Sequence, residues 1–475
     1  MKRQLLLIVF TVLFPLYAVC QTTDFSKEEL LDTGLPLVTV TTVDGVLPTC
    51  DYVEAPEGCW GSSITNKTKV PSRLTMVKGN DILYDSGDYV KDKSGLTIAL
   101  RGNTSAYSPK KSYKLKLQKK ADMLLRGNDS KYKDKSWLLI KDDYSMSLNT
   151  MVGMKVSQLM GLQWTPQMMF VNLVLNDDYK GVYMLIESVK DNSKCRLDID
   201  SDTGYIMEYD PYWWNEDLSL DEGTYYQYGS MRYTFKYPDA GDFTDEQLNY
   251  IQQYIKNVEA SIANGTYPEY IDIESFAAWV LTHDIMGIFD GGGSNIYLTK
   301  YDNTDGSKLM MANIWDMDTI YRKEGEWSAI HEMWAFYFKW LFESDNKSFV
   351  HAYKDKWQEI APDLLSEMTT FLNDFRQSDT AAALDKALIL DGQRWDITPT
   401  TVEKDVEKGL QYFEQRIPWL EENIAEIDIT SGIRKMKMDK DNKAETASSY
   451  ATTGQKVGSS HKGITIRGNK KFIKK

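Results

Sequence analysis

The hydrophobic period changes near the middle of this chain, and that change limits the folds open to it. Between residues 35 and 187 apolar side chains fall at alternate positions or in short unbroken runs, as β-strands require. Strands are expected at 35–42, 95–100, 111–117, 137–140, 170–175 and 181–187, with one helix over 146–161 whose apolar residues 148, 151, 152, 156 and 159 share a face. From residue 244 the spacing becomes helical. Thr244-Asp-Glu-Gln247 is a capping-box pattern, Leu248, Ile251, Ile255, Val258 and Ile262 follow on one face, and Asn264-Gly265 stops the run. Helices are expected again at 273–289, 333–342, 349–371 and 402–427. A β-rich lobe to about residue 190 followed by a mainly helical lobe over 191–430 is an α+β, two-lobed plan.

With 475 residues and 42% apolar content the chain can bury a large core, which excludes disorder, collagen and a simple coiled coil. Its formal net charge of -14 argues against a sequence-independent grip on nucleic acid or anionic lipid, so a phosphate-bearing ligand must be held locally. Residues 1–20 read as an export signal: Lys2 and Arg3 precede an apolar run from Leu5 to Val19 that is too short to span a membrane, and no later stretch is long enough. The expected location is therefore periplasmic, cell-surface or secreted. Cleavage before Gln21 is favoured over a lipid-carrying Cys20, because Tyr17 and Val19 are bulky where small residues are wanted. The spacing of Cys50 and Cys59 suits a small disulfide loop, leaving Cys195 over. Four histidines are too few to favour a multi-His metal centre.

No phosphate loop of the form G-x-x-x-x-G-K-[ST] occurs, and no G-x-G-x-x-G opens a helix after a strand. Three other elements carry chemistry. Asp290 and Asn295 flank a Gly-rich loop at the spacing of a kinase catalytic loop, where an Asp orients a hydroxyl and an Asn binds metal; taken alone, a capped turn is the simpler reading. Asp316 follows Asn295 by 21 residues, and Asp316 and Asp318 at i and i+2 are expected to project from one side of a strand end. A divalent cation would relieve their repulsion, and Mg²⁺ takes one or two carboxylates plus phosphate oxygens. Third, the turn Arg101-Gly-Asn-Thr-Ser is followed by Lys110, Lys111, Lys114 and Lys116, the last two on one strand face. They suit phosphate binding, although lysines commonly just line a wet face.

Together and in this order, these segments resemble the CotH-type spore-coat protein kinase family over residues 35–427. The likeness rests on Arg101-Gly-Asn-Thr-Ser with Lys110-Lys-Ser-Tyr-Lys-Leu-Lys-Leu, Asn176-Asp-Asp-Tyr-Lys-Gly-Val-Tyr-Met-Leu-Ile-Glu187, Thr203-Gly-Tyr-Ile-Met-Glu208-Tyr-Asp, Asp290 with Asn295-Ile-Tyr-Leu, and Trp315-Asp316-Met-Asp318. The resemblance implies an atypical kinase-like fold that binds ATP and Mg²⁺ and transfers the γ-phosphoryl group to Ser or Thr of an acceptor protein. It implies Asp290 as catalytic aspartate, Asn295, Asp316 and Asp318 as metal ligands, Lys114 or Lys116 as the phosphate-binding lysine with Arg101 nearby, and Glu187 at the adenine end. The helix after Trp137-Leu-Leu-Ile departs from the family, which has an Asp and then Arg-Asn where this chain has Tyr144, Asn149 and Thr150. The basic segment 431–475 alternates like a short β-meander and resembles the sorting tails of type IX secretion cargo. Two other readings are carried: a kinase-like surface module binding proteins or glycans through its aromatic residues, and a glycosidase using the same carboxylates.

Overall fold

The computed structural model describes residues 25–127, 130–142, 146–220, 231–288, 294–317 and 336–427, and short strands within 449–474. Two compact units result, 1–433 and 434–475.

The first unit is α+β. A short helix α1 (Lys27–Asp32), capped by Ser26 and Glu29, leads into β1 (Leu37–Thr42). The hairpin β2 (Asp51–Glu54) and β3 (Ser62–Thr65) follows, then β4 (Val70–Lys78), β5 (Asp81–Asp85), β6 (Leu96–Arg101), β7 (Ser112–Ala121), β8 (Asp134–Ile140), β9 (Met168–Leu175) and β10 (Asp178–Glu187). The order β1-β9-β10-β8-β7-β6-β4 closes on itself because β4 also pairs with β1, giving a seven-stranded barrel with β5 appended to β4. The expected sheet is thus a closed barrel, a form that leaves fewer raw strand edges. Its interior is filled by inward residues such as Val40, Leu74, Ile98, Leu115, Trp137 and Leu173.

Which outer faces are covered explains the two strand patterns in the sequence. Leu138, Phe170, Val182 and Met184 on β8 to β10 face outward into the helical core, so those strands are apolar on both sides and read as unbroken runs. On β7 no such cover exists: Leu115 and Leu117 point in, while Lys114 and Lys116 are exposed.

A second sheet lies in what read as the helical lobe; of its strands, the sequence expectation had the one leading toward Asp316 but not the sheet itself. It runs β12 (Ser219–Leu220), β13 (Arg232–Tyr237), β11 (Tyr205–Asp210), β14 (Ile296–Lys300), β15 (Leu309–Met311), all antiparallel. Tyr205, Met207, Tyr209, Tyr233, Ile296 and Leu298 bury one face against the helices. The opposite face carries Glu208, Asp210, Thr234, Lys236 and Tyr297.

The helices are α2 (Asn149–Met160), α3 (Asp245–Asn264), α4 (Ile273–Met286), α5 (Phe338–Glu343), α6 (Ser348–Arg376), α7 (Asp379–Trp395) and α8 (Val402–Ala425). At α3 both halves of the capping box form, and Gly265 ends the helix at φ 80°. Every residue of α4 from Ser275 onward is buried, which is why its stretch is apolar all round. Helix α7, not expected from the sequence, packs on β10. There Lys110 Nζ meets Asp391 Oδ1 at 2.7 Å, and the same oxygen accepts from Val182 N at 2.9 Å. Gly181, at φ 98°, is obligatory at this contact: a Cβ would lie 1.8 Å from Asp391 Oδ1.

Cys50 and Cys59 do not form the expected loop; both are free, as is Cys195. The extended strand β2 stands between them, and at about 3.3 Å per residue it carries their Cα atoms beyond the roughly 7 Å a disulfide can bridge. The second unit is a four-stranded antiparallel sheet of β16 (Ser449–Ala451), β17 (Lys456–Val457), β18 (Gly463–Arg467) and β19 (Lys470–Lys474). Its order, β17-β16-β18-β19, differs from a meander because β18 returns to pair with β16.

Candidate active site

The site is built where the outer face of β6 and β7 approaches the polar face of the second sheet. Alternation along β6 and β7 sets Arg101, Lys114 and Lys116 outward. The Arg101 guanidinium lies 5.9 Å from the centre of the Trp315 ring; burial lowers its pKa, while Tyr297, Asp316 and Glu208 act in the opposite direction. One basic group therefore gathers two aromatic side chains and two carboxylates from three separate segments. The turn after Arg101 is fixed from below: Asn103 Oδ1 accepts from Ser63 Oγ at 2.7 Å, and Thr104 Oγ1 lies 3.1 Å from the Tyr212 hydroxyl.

Lys114 is exposed on its strand, yet its ammonium is partly desolvated and faces Lys116, Lys190, Lys236 and Lys67, a combination that pulls its pKa down to about 8. Lys116 donates to Ser136 Oγ at 3.2 Å and is likewise lowered, by burial first and then by Lys190. Crowded like charges on a protein of net charge -14 are a local excess that an anion would relieve.

Across from them, Lys236 Nζ meets Glu208 Oε2 at 2.8 Å. Burial works against the Lys236 charge, but Glu208, Glu216 and Asp210 outweigh it and the pKa rises. Asp210 shares a face with Glu208, accepts from Tyr212 N at 2.7 Å and from Thr234 Oγ1 at 3.1 Å, and is pushed up to about 7 by burial and then by Glu208. Burial, with Glu208, also raises the Tyr297 phenol.

Asp316 is exposed and adopts the left-handed conformation at φ 58°; Asn295 does so at φ 60°, with its Nδ2 3.1 Å from Ser294 Oγ. The expectation that Asp316 and Asp318 alternate on one strand does not hold for Asp316, because β15 ends at Met311 and a loop follows. That loop is pinned instead by packing. Trp279 Nε1 on α4 donates to the Asn313 carbonyl at 3.1 Å, and Gly153 on α2 admits Met317, whose Cε would lie 2.8 Å from a Cβ there. Asp290, Asp318 and Tyr144 lie outside the described residues, and Asn149 opens α2.

Glu187 is engaged by basic side chains and a backbone amide. Fully buried at the end of β10, it accepts from Arg126 Nη2 at 2.9 Å and from Gln167 N at 3.1 Å, with Arg196 Nε at 4.0 Å. It braces the start of the 188–204 segment that leads into the second sheet. Lys110 and Lys111 are also committed elsewhere, Lys111 to Tyr52 Oη at 2.8 Å and Ala106 O at 2.7 Å.

Glu208, Asp210, Lys236 and Tyr297 were not assigned roles from the sequence. The alternating runs Tyr205-Ile-Met-Glu-Tyr-Asp and Arg232-Tyr-Thr-Phe-Lys carried the signal: in a strand one half is apolar and the other polar. Among the described residues no group of three or more His, Cys, Asp or Glu could hold a metal by itself. Asp316 and Asn295 each carry a side-chain oxygen of the kind taken by an ion that needs only one or two protein oxygens and completes its shell with phosphate and water.

A family model described as CotH kinase protein matches residues 98–420, which include both sheets' site strands and helices α2 to α7. No curated protein sequence matches the chain. The match spans more than half of the sequence, and the chain therefore belongs to the CotH kinase protein family.

Proposed function

We propose that the chain is an exported kinase that uses ATP and Mg²⁺ to phosphorylate Ser or Thr of a partner protein. The observation that carries this reading is the set of mutually repelling cations around Lys114, opposite a loop that presents the Asp316 carboxylate. Lys114, Lys116 and Arg101 bind and orient the triphosphate, and Glu208 holds Lys236 beside them. Asp316 and Asn295, with Asp318, are the residues that would hold Mg²⁺, which when bound supplies neutralisation of phosphate charge. Asp290 takes or orients the acceptor hydroxyl proton. Covalent work by the protein is small; positioning and charge neutralisation supply the rate.

The test is thermal unfolding of the full chain with ATP, with and without Mg²⁺. Nucleotide at one hundred times its Kd is expected to add about 2.7 kcal/mol of stability when Mg²⁺ is present. No Mg²⁺-dependent shift would remove the enzymatic reading.

The Lys114 ammonium gives a second check. Its pKa of about 8 lies below the ordinary lysine value, and a bound polyanion moves it back up. Between those two values the complex holds more protons than the free protein. ATP binding at pH 9 is expected to take up protons, and affinity to fall as pH rises from 8 toward 10. Calorimetry in two buffers of different ionisation enthalpy measures the uptake; identical heats would exclude Lys114 from the phosphate site.

A surface-binding reading is supported by a separate observation. Trp60 is 63% exposed, Tyr52 49% and Tyr107 39%, and Trp60 lies 5.6 Å from Tyr212, ring to ring. Such rings suit flat apolar ligands or sugar faces. Most other aromatic residues are core, including Tyr233, Phe336, Tyr337 and Phe338. Glycan binding without nucleotide would favour this reading.

A further inference from the structure

We infer that the outer face of β1 and β4 carries a second ligand site, a hydroxyl-lined cavity that binds a neutral sugar unit. It shares no residue with the candidate active site or with the surface around Trp60, and it does not depend on the kinase reading.

The site begins with the alternation of the two strands. Val38, Val40, Leu74 and Met76 fill the barrel, which turns Leu37, Thr39, Thr41, Arg73, Thr75 and Val77 outward. In the antiparallel register Leu37 faces Val77, Thr39 faces Thr75 and Thr41 faces Arg73. The Leu37 and Val77 end is covered by Leu30 and Leu31 of α1. Past that cover the apolar pair gives way to polar ones: Thr41 and Arg73 are exposed, and Thr39 and Thr75 are half-buried. Here a cavity of about 490 Å³ opens, with these four residues among its lining and Val43, Asp88 and Tyr89 beside them. Its size lies within the roughly 300–1,000 Å³ typical of small-molecule sites.

The surrounding turns are already fixed. Thr42 donates from N and Oγ1 to Asn176 Oδ1 at 2.9 and 3.1 Å, and Asn176 Nδ2 donates to Gly45 O at 3.1 Å, which holds the turn bearing Val43. Ser94 Oγ donates to Asp88 O at 2.6 Å. Gly95, at φ 75°, lets the next backbone stretch close in, since a Cβ there would lie 2.5 Å from Tyr89 Cα. A site held in this way loses little freedom when a ligand enters.

Its chemistry selects the ligand. Among the described residues the hydroxyls of Thr39, Thr41 and Thr75 have no hydrogen-bond partner. Arg73 gives Nε and Nη2 to Asp85 at 3.1 and 2.6 Å, and Nη1 to Asp88 at 3.2 Å. One cation thus meets two carboxylates, so the cavity has no positive excess to draw phosphate or another anion. It offers fixed donors and acceptors next to apolar surface, including Val43 at 48% exposure. A sugar has the matching surface: hydroxyls that both donate and accept, and C–H groups on the ring face.

The experiment is saturation-transfer NMR of the full chain with the methyl glycosides of glucose, galactose and mannose and with N-acetylglucosamine; glucuronate is the charged counterpart. At least one neutral sugar is expected to receive saturation, and glucuronate none. The double variant Thr41→Val, Thr75→Val keeps β-branched residues on the strands and is expected to raise the Kd about tenfold or more. Trp60→Ala is expected to leave it unchanged. Thermal melting followed by circular dichroism shows whether the double variant is folded, and Tyr89→Ala, a loop change that leaves the strand pairing alone, is expected to give a similar loss. Failure of all four neutral sugars to bind, equal saturation of glucuronate, an unchanged Kd in both cavity variants, or a loss confined to Trp60→Ala overturns the inference. Sugar binding that the cavity variants abolish, in a protein that ATP and Mg²⁺ do not stabilise, would uphold this site while the kinase reading fails.

Discussion

Asp391→Ala is expected to lower the stability of the first unit by about 3–5 kcal/mol, the range found when one partner of a buried ion pair is removed. Both side chains are almost wholly enclosed, Lys110 at 5% exposure and Asp391 at 1%, and their contact is 2.7 Å. Burial by itself disfavours each charge, lowering the Lys110 pKa and raising that of Asp391, and the pairing offsets only part of that cost. Removing the carboxylate leaves the Lys110 ammonium in the barrel wall without its counter-charge and takes the acceptor from Val182 N–H. Asp391 joins α7 both to Lys110, just before β7 and 281 residues away, and to Val182 on β10, so its loss acts on the docking of a whole helix. Guanidinium unfolding of both variants checks the expectation. A second change, Lys110→Met in the Asp391→Ala background, is expected to recover part of the loss, since it removes the unpaired charge. A loss below about 1 kcal/mol for Asp391→Ala would mean that water reaches the site and the pair is not a buried one.

Asp316→Asn is expected to reduce phosphoryl transfer by about 10²–10³-fold or more, the scale of losing one group that stabilises transition-state charge. Asparagine is the informative replacement, because Asp316 sits at φ 58°, a conformation Asn tolerates as readily as Asp and Ala does not. The side chain is exposed, so the fold should be affected by no more than about 0.5 kcal/mol. The Mg²⁺-dependent part of ATP stabilisation should go with the activity. Asp290→Ala should behave differently, retaining Mg²⁺-ATP binding while losing transfer, because a group that orients the hydroxyl contributes little to nucleotide affinity. Radiolabelled-phosphate transfer beside calorimetry separates the two. Unchanged transfer in Asp290→Ala would remove it from the catalytic role, and unchanged Mg²⁺ dependence in Asp316→Asn would remove that residue from the metal.

Much of this was legible from local pattern. Capping at Thr244 and Gln247, the stop at Gly265, and the alternation that puts Lys114 and Lys116 opposite Leu115 and Leu117 depend on near neighbours, and the structure has them as the sequence implies. Expectations that relied on continuing a local element too far gave way. Asp316 is not on the strand that precedes it, and Cys50 and Cys59 are set apart by the strand between them.

The periodicity of the chain alone determined that a β-rich region precedes a mainly helical one, and which face of many elements is apolar, because hydrophobic burial acts residue by residue with a period of 2 or 3.6. Only tertiary structure decided that β1 and β4 pair and close the barrel, that a second sheet turns Glu208 and Lys236 toward Arg101, and that Glu187 is consumed by Arg126. Those contacts join residues distant in sequence. Their partners are selected by packing and charge neutralisation in space, for which no stretch of neighbouring residues carries a signal.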